Sequence, residues 1–272
     1  MKKIKRVFRY FVLHSTRNTK YFFTYLIHFF DNNYVADIKY YDLDDLENLL
    51  KKGKSIIRIG DGEIYIMNFG SIHYQKYDER LRSLFFKMIN EYNEDSQYVL
   101  SLNKIPLEKS NIQLKKDGLL NCWLPMKVYY QLYFTKTSRY IDQVLFYYNE
   151  TFPKYFESYL KTKHLVLVSH QGNIDNFKNN PAIPFTDVSF VVTPAENAFV
   201  DYEKIKTAVR VEIDKHGKEK TVILAACGPA SKPLAYELSK ESIVTIDVGR
   251  GIEVAYTDDR IDQIIYPTSS PK

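Results

Sequence analysis

Apolar positions along the chain keep helical time first and strand time later. Over residues 42–53, Leu43, Leu46, Leu49 and Leu50 share a helical face, with Asp42 suited to cap the start and Gly53 to stop the end. Ser55-Ile56-Ile57-Arg58-Ile59 then reads as a short apolar strand that runs straight into Gly60-Asp61-Gly62-Glu63. Leu81, Leu84, Phe85, Met88, Ile89 and Tyr92 predict a helix over 78–93, and 98–102 predicts a strand. From 104 to about 161 the pattern is helical and aromatic, with breaks expected near Pro106, Pro125 and Pro153.

The second half alternates more regularly. Val/Ile-rich runs at 164–169, 187–192, 221–226 and 243–248 read as strands. Helical patterns through Ile205 and Val209, and through Leu234 and Leu238, fall between them. Such alternation implies right-handed crossovers and a parallel sheet covered on both faces. The predicted fold is therefore α/β: a Rossmann-like, mostly parallel sheet with helices on both sides. No repeat or flexible linker interrupts it. The expected plan is a basic aromatic arm at 1–30, one domain at 31–266 and a polar tail at 267–272.

Composition adds little to this until charge is placed along the chain. A hydrophobic share of 45% with 26% charged residues fits a soluble protein with a substantial core. The 23 Tyr and 17 Phe are conspicuous, but they suit half-buried surfaces, interfaces and sugar stacking equally. Net charge is +5, from 38 basic and 33 acidic residues. Lys2, Lys3, Lys5, Arg6, Arg9, Arg17 and Lys20 all lie in the first 30 residues, which hold no acid. Taking those seven from 38 leaves 31 against 33, a balance of −2 for the remainder. A basic footprint across the fold is absent, which argues against nucleic acid as a partner. The run 21–30 is only ten residues, short of the roughly 20 that span a bilayer. No cleavage site follows it. The arm is suited either to lie on an anionic membrane face or to pack its aromatic side on the domain. Two cysteines, Cys122 and Cys227, form no disulfide framework, so a cytoplasmic setting is expected, with the arm at the inner face of the plasma membrane. The six histidines contain no pair at helical zinc-binding spacing, so no zinc site is expected.

The chemistry should gather where strands end, because an open parallel sheet binds ligands outside its carboxyl edge. Asp61 and Glu63, two residues apart in a glycine-flanked turn, suit Mn²⁺ or Mg²⁺, which take one or two carboxylates plus substrate phosphates. As a bare Asp-Gly turn, the same pair would be merely solvated. Cys227-Gly228-Pro229-Ala230-Ser231 joins a strand to a helix start, whose N–H groups attract phosphate. Neither the Gly-x-Gly-x-x-Gly nor the Walker fingerprint is present. Arg58 and Arg250 are placed to neutralise a diphosphate, or in the case of Arg58 to pair with Asp61 or Asp247. Asn197 could read a base or ribose, or cap the following helix. His170 is a candidate general base.

Four segments in order carry a resemblance: Arg58-Ile59-Gly60-Asp61-Gly62-Glu63, Pro194-Ala195-Glu196-Asn197-Ala198-Phe199, Gly228-Pro229-Ala230 with Leu234-Ala235-Tyr236-Glu237-Leu238, and Asp247-Val248-Gly249. From about 43 to 256 the chain resembles the GT-D-fold glycosyltransferases. The resemblance implies a Rossmann-like enzyme of bacterial glycan or glycoprotein assembly, with Asp61 and Glu63 as the metal-associated motif. It departs from the family where Arg250 follows Gly249 in place of histidine, and where Ser169-His170-Gln171-Gly172 replaces an acidic stretch. Both changes lie on the sugar or acceptor side.

The expectation is a metal-dependent transferase moving a sugar from a nucleotide-diphosphate donor, a UDP-sugar, to a glycan, glycoprotein or lipid-linked saccharide. Arg58, Gly60, Asn197, Gly228, Pro229, Ala230 and Arg250 form the expected donor-binding set. Asp61 and Glu63 hold the cation, and Asp247, Glu253 or His170 takes the acceptor's proton. A phosphate-ester hydrolase on the same sheet and a non-catalytic, membrane-docked scaffold of polysaccharide assembly are the alternatives.

Overall fold

The computed structural model describes residues 18–42, 44–143, 152–179 and 183–249. The chain begins with helix α1 (Thr19–Phe30), an edge strand β1 (Lys39–Tyr40), helix α2 (Asp45–Lys51) and strand β2 (Ser55–Arg58). Helices α3 (Asp61–Met67) and α4 (Glu79–Glu91) lead to β3 (Tyr98–Leu102). Three further helices, α5 (Lys104–Glu108), α6 (Asn111–Lys116) and α7 (Leu120–Tyr133), precede β4 (Arg139–Asp142). The rest alternates: α8 (Phe152–Leu160), β5 (His164–Ser169), α9 (Gln171–Asn179), β6 (Val188–Val192), α10 (Tyr202–His216), β7 (Thr221–Ala226), α11 (Ser231–Ser239) and β8 (Thr245–Asp247).

All eight described strands are parallel, in the order β1-β4-β3-β2-β8-β7-β5-β6. Strands β2, β3, β5 and β7 are buried at every position, which is why they read as continuous apolar runs and not as alternations. Leu167 sits opposite Phe190 on one side and Leu224 on the other. The connections leaving β5 and β7 run to opposite sides of the sheet, and this divergence opens a crevice at the carboxyl edge. One hydrophobic cluster, from Tyr21 to Val248, runs through the helices on both faces.

Several expectations shift. Helix α2 starts at Asp45 after Asp44, later than expected, and residue 43 is outside the described set. Pro125 lies inside an unbroken α7: Trp123, Leu124, Met126, Val128 and Tyr129 are buried around it, and that packing outweighs one lost backbone hydrogen bond. The polar stretch 170–173 opens a helix, because buried Ile174 and Phe177 anchor α9 to the sheet. Strands β1 and β4 had no sequence signal of their own. Eight of the described tyrosines are core residues, several with satisfied hydroxyls: Tyr98 donates to Met88 O (2.6 Å), Tyr129 to Asn68 Oδ1 (2.7 Å) and Tyr130 to Asp37 O (2.8 Å).

Helix α1 belongs to both readings of the arm. Tyr21 is buried against Tyr129, ring centroids 5.2 Å apart, while Phe23, Ile27 and Phe30 are 58%, 68% and 77% exposed on the other side. Residues 1–17 lie outside the described set. Among the described residues no helix is long and apolar enough to cross a membrane.

Candidate active site

Strand β2 delivers the acidic motif to the rim. The motif is a helix start and not a free turn: the Glu63 carboxylate reaches back, and its Oε2 accepts the Gly60 N–H at 2.9 Å. This bond folds Glu63 inward, to 7% exposure, while Asp61 stays exposed. Asp61 Oδ2 accepts the Cys122 thiol at 3.2 Å. Desolvation at the sulfur, reinforced by the Asp61 charge, pushes the thiol's pKa well up even though Cys122 is exposed, and Cys122 remains a donor.

Beneath the rim lies a charge cluster that no motif announced. Lys232, in the first turn of α11, is buried with its Nζ 3.2 Å from Glu63 Oε1 and 3.2 Å from Asp247 Oδ2. Its Nζ also donates to Gly228 O at 3.3 Å. Asp247 Oδ2 further accepts the Arg58 backbone N–H at 3.1 Å. Burial acts to lower the lysine's pKa, but Asp247 and Glu63 outweigh it, and Lys232 is held above its usual value. Burial pushes Asp247 upward, opposed by Lys232 and Arg58. With an ammonium at 3.2 Å and a backbone donor at 3.1 Å, the pair is an ammonium–carboxylate.

Above this cluster a cavity of about 550 Å³ is lined from seven strand ends. Arg58 ends β2, Gly60, Asp61, Gly62 and Glu63 follow it, Asn103 follows β3 and Gln143 follows β4. His170 and Asn173 follow β5, Thr193, Pro194 and Ala195 follow β6, Cys227, Gly228, Pro229 and Lys232 follow β7, and Gly249 follows β8. Gln143 Nε2 clips two strand ends by donating to Ile59 O (2.8 Å) and Ser101 O (2.9 Å). Trp123 and Tyr74 supply aromatic surface to the walls. Two glycines are required by close approach. Gly249 has φ +47°, and a Cβ there would fall 2.6 Å from Arg58 Nη1. Gly228 has φ +63°, and its Cβ would press to 3.3 Å on the Tyr74 ring. A second concavity, about 590 Å³ and bordered by Glu47, Lys51, Lys163 and Lys218, opens at the amino ends of the strands. Parallel sheets bind ligands at the other end.

The cavity thus brings together Arg58, Gly60, Asp61, Glu63, His170, Gly228 and Pro229 from the expected set. Ala230 is buried behind the turn, and Asp247 lies beneath the floor at 0% exposure. Asn197 does not line the cavity. Its backbone is left-handed (φ +54°), its N–H donates to Tyr74 O (2.8 Å) and its Oδ1 accepts the Lys76 N–H (2.8 Å), so it ties the 74–76 wall to the turn after β6. Arg250 and Glu253 lie outside the described residues. Sequence reading missed Lys232, Gln143, Trp123, Asn103, Asn173 and Tyr74. Lys232 carried one usable signal, a charge sharing a helical face with Ala235 and Tyr236, both buried.

The family model described as "Glycosyltransferase GT-D fold" matches residues 56–258. The chain belongs to the GT-D-fold glycosyltransferase family. The match starts within β2 and includes every residue that lines the cavity, whereas α1, β1 and α2 precede it. Among solved structures, "A New Glycosyltransferase (DUF1792) from Streptococcus sanguinis" aligns with TM-score 0.64 at 22% identity, covering 80% of this chain and 83% of the other. A structure described as "The highly conserved domain of unknown function 1792 has a distinct glycosyltransferase fold" aligns with TM-score 0.65 at 22% identity, covering 87% and 84%. The "Probable glycosyl transferase Gly" of Streptococcus gordonii is 28% identical over 221 residues, covering 75% of this chain. This chain spans 30% of that relative's length.

Proposed function

We propose that this GT-D member transfers a sugar from a nucleotide-diphosphate donor, a UDP-sugar, to a saccharide, glycoprotein or lipid-linked acceptor. The observation that carries the reading is the division of labour among the three acids. Glu63 and Asp247 are matched by Lys232, while Asp61 alone turns an exposed carboxylate into the cavity. One carboxylate beside a site for a diphosphate fits Mg²⁺ or Mn²⁺, which complete their shells with phosphate oxygens and water. Asp61 would hold that ion, and Glu63 would act through it only indirectly, since both its oxygens already have partners. A bound cation supplies Lewis-acid stabilisation of the charge that grows on the departing nucleotide.

The chain's own groups do the rest. The Gly228–Ala230 turn receives phosphate oxygens, because Gly228 allows close approach and Arg58 lies under Gly249 beside it. Trp123 and Tyr74 offer faces for the base or the sugar. His170 lines the cavity and is the group placed to take the acceptor hydroxyl's proton, whereas Asp247 is sealed beneath Lys232. Arg250 and Glu253 remain proposed for donor binding and proton transfer on sequence grounds alone.

The test is a thermal-shift and transfer assay over nucleotide sugars with and without Mn²⁺. Asp61→Asn is expected to abolish transfer and metal-dependent donor binding while leaving the melting midpoint of the free protein within about 2 °C, as for a surface change. Full activity with unchanged metal dependence in Asp61→Asn would refute the assignment. Release of free sugar without any acceptor product would favour the hydrolase reading.

A further inference from the structure

At the opposite rim from the crevice, where β5 begins, a second cluster forms. The buried His164 imidazole stacks on that of His216, ring centroids 3.4 Å apart and planes 5° from parallel. Glu212 precedes His216 by one turn of α10, with its Oε2 3.9 Å from His216 Nε2. Ligand atoms of His164, Glu212 and His216 all fall within 4.8 Å of one another. We infer that these three side chains form a binding site for a late first-row divalent ion, Zn²⁺ first among them, separate from the cavity.

Two features favour a site over a chance stack. First, His164 Nδ1 lies 2.7 Å from Asp187 Oδ1, so the carboxylate accepts that proton and leaves Nε2 with its lone pair. Nε2 lies 3.0 Å from Ser189 Oγ, a contact that a metal ion would have to displace, and the Ser189 hydroxyl has Glu212 as its other partner. An outer carboxylate that fixes the tautomer in this way is the usual partner of a ligating histidine. Second, two imidazoles and one carboxylate suit zinc, nickel or copper, whereas magnesium and manganese prefer oxygen alone. A water completes the tetrahedron. The sequence hid this site because His164 and His216 lie on different elements and only Glu212–His216 has helical spacing.

Loading requires a local rearrangement. Lone pairs lie in the ring planes, so two stacked rings cannot both aim at one ion. Bonds of about 2.0–2.1 Å place tetrahedral ligand atoms roughly 3.4 Å apart, so the cluster must contract. His216, with its side chain 36% exposed at the end of α10, has room to turn off the stack. Glu212 faces His216 with Oε2 while Oε1 pairs with Lys215 at 2.6 Å, an exposed ion pair that contributes little and hinders a shift of the carboxylate only weakly. That reorganisation sets the expected affinity at the order of micromolar, weaker than preformed structural zinc sites.

The experiment uses the full chain, stripped by chelator and titrated with Zn²⁺ by calorimetry and with Co²⁺ by visible absorption. One equivalent should bind, with the d–d bands of four-coordinate cobalt and a rise in melting temperature as Zn²⁺ saturates. His216→Ala, at a partly exposed helix end where folding is not at stake, should weaken binding at least tenfold and remove the thermal rise. Asp61→Asn should change neither. Absence of binding at about 100-fold above the expected dissociation constant would overturn the site. So would binding that survives His216→Ala, or binding lost with Asp61→Asn.

Discussion

At the scale of single residues, the site rests on Lys232. It is buried between two carboxylates, so removing its charge takes the cation from Glu63 and leaves Asp247 with Arg58 alone. Lys232→Met is expected to lower stability by about 3–5 kcal/mol, read as a lower urea midpoint. Lys232→Arg should recover part of that loss, and an unchanged midpoint in the Met variant would show that the cluster is not an ionic unit. Glu63→Gln should also lower stability, because the same side chain caps α3 and faces Lys232; it is therefore a poorer probe of metal binding than Asp61→Asn. Asp61, Gly228 and Pro229 were legible in the sequence because each sits in a turn directly after an apolar strand. Lys232 was not: lysines are almost always solvated, and what overrides this is a partnership with Asp247 and Glu63, which are remote in sequence. Asn197 stands apart from the cavity lining for the converse reason. An asparagine after a strand looks available to a ligand, yet its oxygen is engaged by a neighbouring loop's backbone.

At the scale of elements, long buried strands were easy to read and short or edge pieces were not. Strands β3, β5 and β7 end where the apolar runs end, since burial on both faces demands unbroken apolar sequence. Strand β4 is four residues within an aromatic segment, too short to show a period of its own. The helices around α7 depend on another buried lysine. Lys127 Nζ donates to Tyr34 O (2.9 Å), Asn111 Oδ1 (3.2 Å) and Lys109 O, pinning the segment after α1 and the start of α6 onto α7. Lys127→Met should cost about 1–3 kcal/mol through the acceptors it leaves unpaired. Burial brings the Lys127 pKa down to about 8 from 10.5. Below about 8 the lysine is charged in the folded and unfolded chains alike, and the cost of burying that charge is present in full. Between about 8 and 10.5 the folded chain releases the proton and the unfolded chain keeps it, so the Lys127 contribution to stability rises with pH. Denaturant titrations across that window should show the rise in the wild type and its loss in Lys127→Met.

At the scale of the whole molecule, charge and apolar exposure coincide at one end of the chain. The first 30 residues hold seven basic side chains and no acid, and α1 turns Phe23, Ile27 and Phe30 to solvent. Sedimentation with anionic vesicles should be measurable for the full chain and weakened by salt, each basic group near the surface contributing about 1 kcal/mol. Removing residues 1–17, or replacing Phe23 and Ile27 by Ser, should reduce it. Deleting all of 1–30 would confound the result, because Tyr21 belongs to the core. Equal sedimentation of all three proteins would dismiss the membrane face.

One asparagine decides how the crevice can open. Through Asn197 the 74–76 wall is tied to the turn after β6 by two hydrogen bonds, and Phe199 N–H adds a third to Gln75 Oε1 at 3.4 Å. If the proposed transfer holds, a spent nucleotide would have to pass two walls fastened to each other, and cutting the fastening with Asn197→Ala should change how fast it escapes.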